Sequence, residues 1–365
     1  MALRFERHSL AGQVAEVLRR EVVSGAWREW LPTERALCAQ LGVSRRTLRS
    51  ALRQLKDEEL IVSQGSAGTR VKQGRRTPEK AARRDERTMG LLMPEEINVS
   101  RPYLMLWIDH LKSELFESGV TLRVHSGPQF FQRGGGAALR RLVEQHRHDC
   151  WILALSNRWV QRWFEAARVP VIVAGMLEAD VHLPAIHPDI VAVARHATGQ
   201  LLAAGHRRLA MFAPGIDTPG SQEIADAFRH AIEHGAHPGA RGEVLRVGPT
   251  VGDHRRALDR LLRQRPAPTG MFVLNPLFGS MVLTDLMRRG LRVPGEVSLI
   301  TTFGDPFMRY LSPEPSRYTY DPATYARKLA RMTQQVLHHE ELATRNVQLT
   351  PNFLKGETLG PAPGG

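Results

Sequence analysis

The sequence predicts an α/β protein with a small N-terminal helix-turn-helix head, a β-hairpin wing and a larger body of two α/β lobes. Three observations lead there. An arginine-rich amphipathic stretch begins at Arg45, directly behind Ser44, a good helix-capping residue. Two short β-prone runs flank Gln64-Gly-Ser-Ala-Gly68, whose glycines permit a tight hairpin. From Thr88 onward, short apolar runs alternate with amphipathic stretches, which is the rhythm of parallel sheets covered by helices.

The head is built in order. Ala11 to Ser24 reads as an amphipathic first helix. Glu34 to Leu41 has Leu37 and Leu41 at helical spacing with Pro32 near its start, so it forms the first member of the helix-turn-helix pair. Gly42 and Val43 make the turn, and Ser44 caps the second member. At about 100° per residue, Leu48, Ala51, Leu52 and Leu55 fall on one stripe, while Arg45, Arg46, Arg49 and Arg53 fall on the other side. One face packs and the other is cationic. Leu60–Ser63 and Thr69–Val71 complete the wing. Arginines on such a helix can pair with guanine O6 and N7 in a major groove, which singles out Arg35, Arg45 and Arg49 for base reading; Ser44, Thr47 and Lys72 suit phosphates. A lone charge run is ordinarily a solvated face, but here helix, turn, helix and hairpin follow in order. Trp27 and Trp30 are expected to pack the first helix against the head.

The body begins after a polar, basic linker. The expected domains are residues 1–74, a linker 75–87, and a body 88–365. Strands are expected at Met89–Met93, Val120–Val124, Cys150–Ala154, Arg208–Phe212, Met271–Leu274 and Val297–Ile300, with helices over Tyr103–Ser118 and Ala137–Gln145.

A chain of 365 residues suggests two or three units, one with a sizeable core. Its net charge is +13, and residues 1–87 hold 19 Lys or Arg against 11 Asp or Glu, so the excess concentrates in the head and linker. That favours a polyanionic partner. Two cysteines, Cys38 and Cys150, lie far apart and indicate no disulfide framework. There is no apolar leader at the N-terminus and no run long enough to cross a bilayer, so a cytoplasmic location is expected.

The motif Leu31-Pro-Thr-Glu-Arg35, then Leu41-Gly-Val-Ser-Arg45, then Gly65-Ser-Ala-Gly-Thr69 resembles the GntR-type winged helix-turn-helix. The resemblance implies DNA contacts at Arg35, Arg45 and Gly68. Val169-Pro-Val-Ile-Val173, Gly205-His-Arg-Arg-Leu209, Arg289-Gly-Leu-Arg-Val-Pro294, Glu296-Val-Ser-Leu-Ile300 and Tyr310-Leu-Ser-Pro313 together resemble the LacI/GalR-type sensor. That resemblance implies a periplasmic-binding-protein-like body: two lobes joined by three crossovers, an effector cleft, and dimerisation through the sensor. Head and body combined look like an arabinose-repressor type of regulator. A cytoplasmic, homodimeric repressor reading a near-palindromic duplex operator is the implied function.

The body departs from that pattern where a sugar would bind. Ile224 stands in place of the ligand-binding arginine, Asn275-Pro276 replaces Asn-Asp, and Phe303 stands where an aspartate would meet a hydroxyl. A simple sugar is therefore not expected. Two readings stay open: a less polar effector suited to Tyr103 and Phe303, or a cleft that serves dimerisation or a protein contact. Cleft-lining candidates are Arg101, Tyr103, Asn157, His187, Asp189, Asn275 and Phe303, each with an ordinary loop or core role as the rival reading.

Other motifs point away from catalysis. His230-Ala-Ile-Glu-His234 matches an H-x-x-E-H zinc pattern, but its packing stripe of Phe228, Ala231 and Ile232 leaves both histidines outward. His146-Arg-His148 and His338-His339 lack carboxylate or cysteine partners at ligand spacing and read as surface histidines; Gly134-Gly-Gly136 reads as a helix lead-in. No nucleophile has a recognisable partner, so no enzyme, cofactor or metal is expected. The rival class is a metal-dependent enzyme using the cleft or the His230/His234 pair.

Overall fold

The protein is described by a computed structural model, which covers residues 10–24, 27, 30–41, 43–58, 60–63, 68–71, 87–96, 101–215, 218–235, 237–338, 340–342 and 344–364. The chain divides into two compact units, Met1–Asp85 and Glu86–Gly365.

In the first unit, α1 (Leu10–Ser24), α2 (Glu34–Leu41) and α3 (Arg45–Asp57) precede the hairpin β1 (Ile61–Ser63) and β2 (Thr69–Val71). Its core joins Val14, Ala15, Leu18 and Val22 of α1 to Leu37 of α2 and to Leu48, Ala51, Leu52 and Leu55 of α3, closed below by Ile61 and Val71. The expected apolar stripe of α3 is thus the buried one. Arg19 and Glu58 add a two-pronged ion pair, Nε to Oε2 at 2.7 Å, that ties α1 to the end of α3. Trp27 packs on this core, but Trp30 does not. It is 39% exposed, bridges Arg70 of the wing, and carries the Arg70 guanidinium 6.0 Å above its ring. The backbone explains the difference: Leu31 donates its N–H to the Thr69 carbonyl, so residues 30–31 run beside β2 and turn the Trp30 ring toward the wing.

The second unit starts with β3 (Arg87–Met93), one residue ahead of the expected boundary at Thr88, followed by α4 (Pro102–Glu117), β4 (Val120–Ser126), α5 (Gly136–Gln145), β5 (Cys150–Ala154), α6 (Arg158–Ala167), β6 (Val171–Ala174) and β7 (Ala185–Pro188). The chain then forms α7 (Ile190–Ala203), β8 (Arg208–Pro214), α8 (Ser221–Glu233), β9 (Arg241–Val247), α9 (Val251–Leu262), β10 (Gly270–Val273), α10 (Pro276–Arg288), β11 (Ser298–Thr301) and β12 (Ser316–Thr319). It ends with α11 (Pro322–Leu337), β13 (Asn346–Leu349) and β14 (Asn352–Leu354).

Two six-stranded sheets result, ordered β4-β3-β5-β6-β7-β13 and β9-β8-β10-β11-β12-β14. All neighbours are parallel except β12 and β14. The chain leaves the first sheet after β7, returns from β12 to β13, and leaves again to β14, giving three crossovers between two lobes. Strands buried on both faces read as continuous apolar runs, as in Cys150–Ala154. Helix α11 follows a strand of the second sheet yet packs with α4 in the first lobe, through Tyr325, Ala326 and Leu329.

One sequence reading changes here. His148 is half-buried rather than a surface residue: it lies across Gly90, where a Cβ would come within 2.5 Å of its ring, and meets His125 (Nε2 to Nε2, 2.8 Å) and Thr88 (Nδ1 to Oγ1, 3.0 Å). His146 is exposed, as expected, with its ring tilted against that of His125 at 4.5 Å. Sequence spacing alone could not bring His125 into this group, because the parallel pairing of β3 with β4 does so.

Candidate nucleic-acid interface and inter-lobe cleft

The head presents its cations from a capped helix. Ser44 has extended backbone angles and accepts the N–H of Thr47 at 3.2 Å; the two hydroxyls lie 2.9 Å apart. Ser44 and Thr47 therefore anchor the start of α3, beside the phosphate role expected of them. Starting from Arg45 at 0°, Arg49, Arg53 and Arg46 follow at about 40°, 80° and 100°, opposite the buried arc of about 240–340°. Arg35 of α2 and Arg45, Arg46, Arg49 and Arg53 of α3 are all exposed. Arg49 differs from the others in pairing its Nε with Glu34 Oε2 at 3.0 Å, which braces α3 against α2. The wing needs a glycine at position 68, where φ is +109°, a left-handed value that side chains rarely adopt. Lys72 lies outside the described residues.

In the body, the carboxyl ends of the parallel strands carry most of the expected cleft residues, the edge where open α/β sheets bind ligands. Three of those residues cap helices. Asn157 accepts the N–H groups of Trp159 and Val160 while its own amide donates to the Phe131 carbonyl at 2.7 Å. Asp189 accepts from Ala192 at 2.9 Å, and Asn275 from Leu277 at 2.9 Å and Phe278. His187 is buried on β7, with Nδ1 3.0 Å from the Pro188 carbonyl.

The remaining three converge. Arg101 precedes α4, and Tyr103 is its second residue. Tyr103 donates its N–H to Asp305 Oδ1 at 2.9 Å and its hydroxyl to the Tyr320 carbonyl at 2.8 Å. The Tyr320 ring stacks edge-on with Tyr103 at 4.6 Å and with Phe303 at 5.3 Å. Phe303 has φ +37°, strained for a side chain with a Cβ. Burial pushes the Asp305 carboxyl above its usual range, against the lowering effects of the Tyr103 N–H and the Arg101 charge. Asp305 and Tyr320 belong to this cluster, and Met176 lies apart from it over Gly220; nothing in local spacing marks any of the three. Ile224 is buried in the second lobe, beside Gly220 at the start of α8.

The set-aside histidines stay apart from this cluster. His230 and His234 stack on each other at 4.0 Å on the exposed side of α8. Among the described residues no group of three metal-ligating side chains is placed to hold an ion, and no helix is long and apolar enough to cross a membrane.

Comparison with known proteins covers both units. The profile for bacterial regulatory proteins of the gntR family matches residues 10–71, and that for a periplasmic binding protein-like domain matches residues 198–359. The arabinose metabolism transcriptional repressor of Geobacillus stearothermophilus is 23% identical over 304 residues, 79% of this chain and 80% of that protein. The mannosyl-D-glycerate transport/metabolism system repressor MngR of Escherichia coli (strain K12) is 42% identical over 65 residues, 17% of this chain and 27% of that one. Across three of the relatives the chain matches, it spans only 40%, 27% and 55% of their length. Among solved structures, the transcriptional regulator CelR–cellobiose complex superposes with a TM-score of 0.65 at 20% identity, covering 97% of this chain and 100% of that chain. These relatives are transcriptional regulators rather than enzymes. The chain thus pairs a head that matches the gntR family with a body that matches a periplasmic binding protein-like domain, an order in which it resembles the arabinose repressor.

Proposed function

We propose that the protein is a sequence-specific, duplex-DNA-binding transcription regulator, acting as a repressor in the cytoplasm. The observation that carries this is the arginine arc of α3, exposed opposite a buried stripe and fixed in orientation by the Ser44 cap and the wing. Arg35, Arg45 and Arg49 read base edges, Arg46 and Lys72 add phosphate contacts, and the Gly68 wing follows the backbone. Two copies joined through their bodies present identical heads to a near-palindromic operator. Footprinting of the full chain on genomic fragments tests this. Protection of paired half-sites at moderate salt is expected, and equal affinity for random duplex would overturn it.

A second reading concerns the body, and one observation favours it. Asn157, Asp189 and Asn275 commit their side-chain oxygens to helix caps, while Tyr103, Phe303 and Tyr320 pack against one another. On this reading the body serves dimerisation or a protein contact rather than binding a hydroxylated small molecule. Calorimetric titration with monosaccharides tests it, and tight binding would overturn it.

A further inference from the structure

We infer that the two lobes of the body are held together by the chain's own residues, through a Tyr103–Asp305 latch and a Met176 plug. The inference rests on the second reading above, and it makes lobe separation the event that a regulator of this site must bring about.

The latch starts from an elementary deficit. The first N–H groups of a helix have no partner within it. Tyr103 sits in the first turn of α4, in the first lobe, and its N–H is bonded to the carboxylate of Asp305, which follows β11 in the second sheet. Asp305 is only 2% exposed. A carboxylate at a helix N-terminus gains from the helix dipole as well as from the charge-assisted bond. The same tyrosine donates its hydroxyl to the carbonyl of Tyr320, which leads from β12 into α11. One residue of the first lobe is thus bonded at both ends to segments that leave the second sheet.

The plug is positioned with similar care. Gln161 of α6 is fully buried; its amide donates to the Met176 carbonyl at 3.0 Å and its oxygen accepts the Glu178 N–H at 2.9 Å. This pins the loop after β6, and the Met176 side chain then reaches the second lobe, where it joins the core cluster that contains Ile224. It lies so close over Gly220 that a Cβ there would overlap its terminal methyl. Gly220 has φ +76° and precedes α8, so a glycine suits both the backbone and the plug. A thioether fits an irregular apolar gap, and the cluster it meets, Ile224 among its members, is apolar.

Opening the lobes would expose Met176 and the second-lobe cluster it packs on, and would break the bond of the Tyr103 N–H. A hydroxylated molecule could accept the Tyr103 N–H but offers the apolar Met176 surface no replacement, so it offsets only part of what opening costs.

The Tyr103 amide reports the latch directly, because its protection has no source within α4. Residue-resolved hydrogen exchange on the purified, dialysed full chain is expected to show this amide slowed by about tenfold or more relative to an unstructured chain. Asp305→Ala should abolish the slowing, whereas Asp305→Asn keeps an acceptor oxygen and should retain most of it. Should Asp305→Ala fail to fold, Met176→Ser combined with Tyr103→Phe provides the second arm: X-ray scattering is expected to show a larger radius of gyration than the parent. Rapid Tyr103 exchange in the parent or unchanged exchange in Asp305→Ala would overturn the latch, and an unchanged radius in the double variant, which keeps the Tyr103 N–H, would overturn the plug. Monosaccharide titration of the same samples tests the scaffold reading separately, since tight binding overturns that reading whatever the exchange shows.

Discussion

Truncating Arg45 to alanine tests the reading of α3 most directly. Arg45 is exposed and makes no hydrogen bond or ion pair among the described residues, so its removal should shift head stability by no more than about 0.5 kcal/mol. A bidentate arginine–guanine pair is worth about 1–3 kcal/mol, which is about 5- to 150-fold in affinity at one half-site. Two heads on a palindrome lose it twice, and well-separated sites add, so the dimer should weaken by about 2–6 kcal/mol. Arg49 is a built-in comparison. Its pair with Glu34 is largely solvent-exposed, at 67% and 40%, and such pairs contribute about 0–1 kcal/mol, so DNA can recruit Arg49 at little cost. Fluorescence anisotropy on duplexes varied one base pair at a time should show Arg45→Ala relaxing preference at one position per half-site. Equal weakening on every sequence, with the salt slope reduced by about 1, would refute base reading and assign Arg45 to a phosphate.

Leu48 is fully buried at the centre of the head core, so Leu48→Ala should cost about 2–5 kcal/mol and unfold the head before the body, visible by calorimetry as a separate low-temperature transition; a single unshifted transition would contradict that. Gly68→Val places a β-branched residue at φ +109° and should weaken DNA binding while α-helical circular dichroism holds; unchanged affinity would remove the wing from the interface. Burial, reinforced by neighbouring positive charge, lowers the pKa of both His125 and His148 to about 4. Neutral rings are therefore favoured in the folded body. Their contribution is present above the unfolded histidine pKa near 6.5 and is lost as pH falls toward about 4. The body's melting temperature should drop across that window, and His148→Gln should flatten the drop; an unchanged profile in that variant would exclude the pair as its cause.

The head was legible because its signals are local. A cap three residues ahead of the N–H it binds, a stripe repeating every three or four residues, and glycines between two β-prone runs all lie within short windows, and α2 and α3 begin at the residues that the pattern indicates. Trp30 misled because an aromatic beside a small core ordinarily joins it, and only the pairing of residues 30–31 with β2 turns it outward. In the body, apolar runs marked the strands. The group formed by His125, His146 and His148 was hidden, because it depends on which strands become neighbours.

The cleft shows why site residues are harder to read than folds. A polar residue at the carboxyl end of a parallel strand is where a ligand would be met, and it is also where the next helix needs a cap; Asn157, Asp189 and Asn275 satisfy both descriptions from sequence, and the hydrogen bonds assign them to capping. The residues that join the lobes carry no such mark. Met176 follows a strand like many methionines, and Asp305 resembles any loop aspartate, until the fold brings them 44 and 202 residues along the chain to Gly220 and Tyr103. On the scaffold reading, Ile224 and Phe303 are apolar where the sensor resemblance implies hydroxyl-binding groups. Met176 packs on the core cluster that contains Ile224, and Phe303 meets the Tyr320 ring that packs on Tyr103, so on the scaffold reading these apolar positions belong to the lobe contacts.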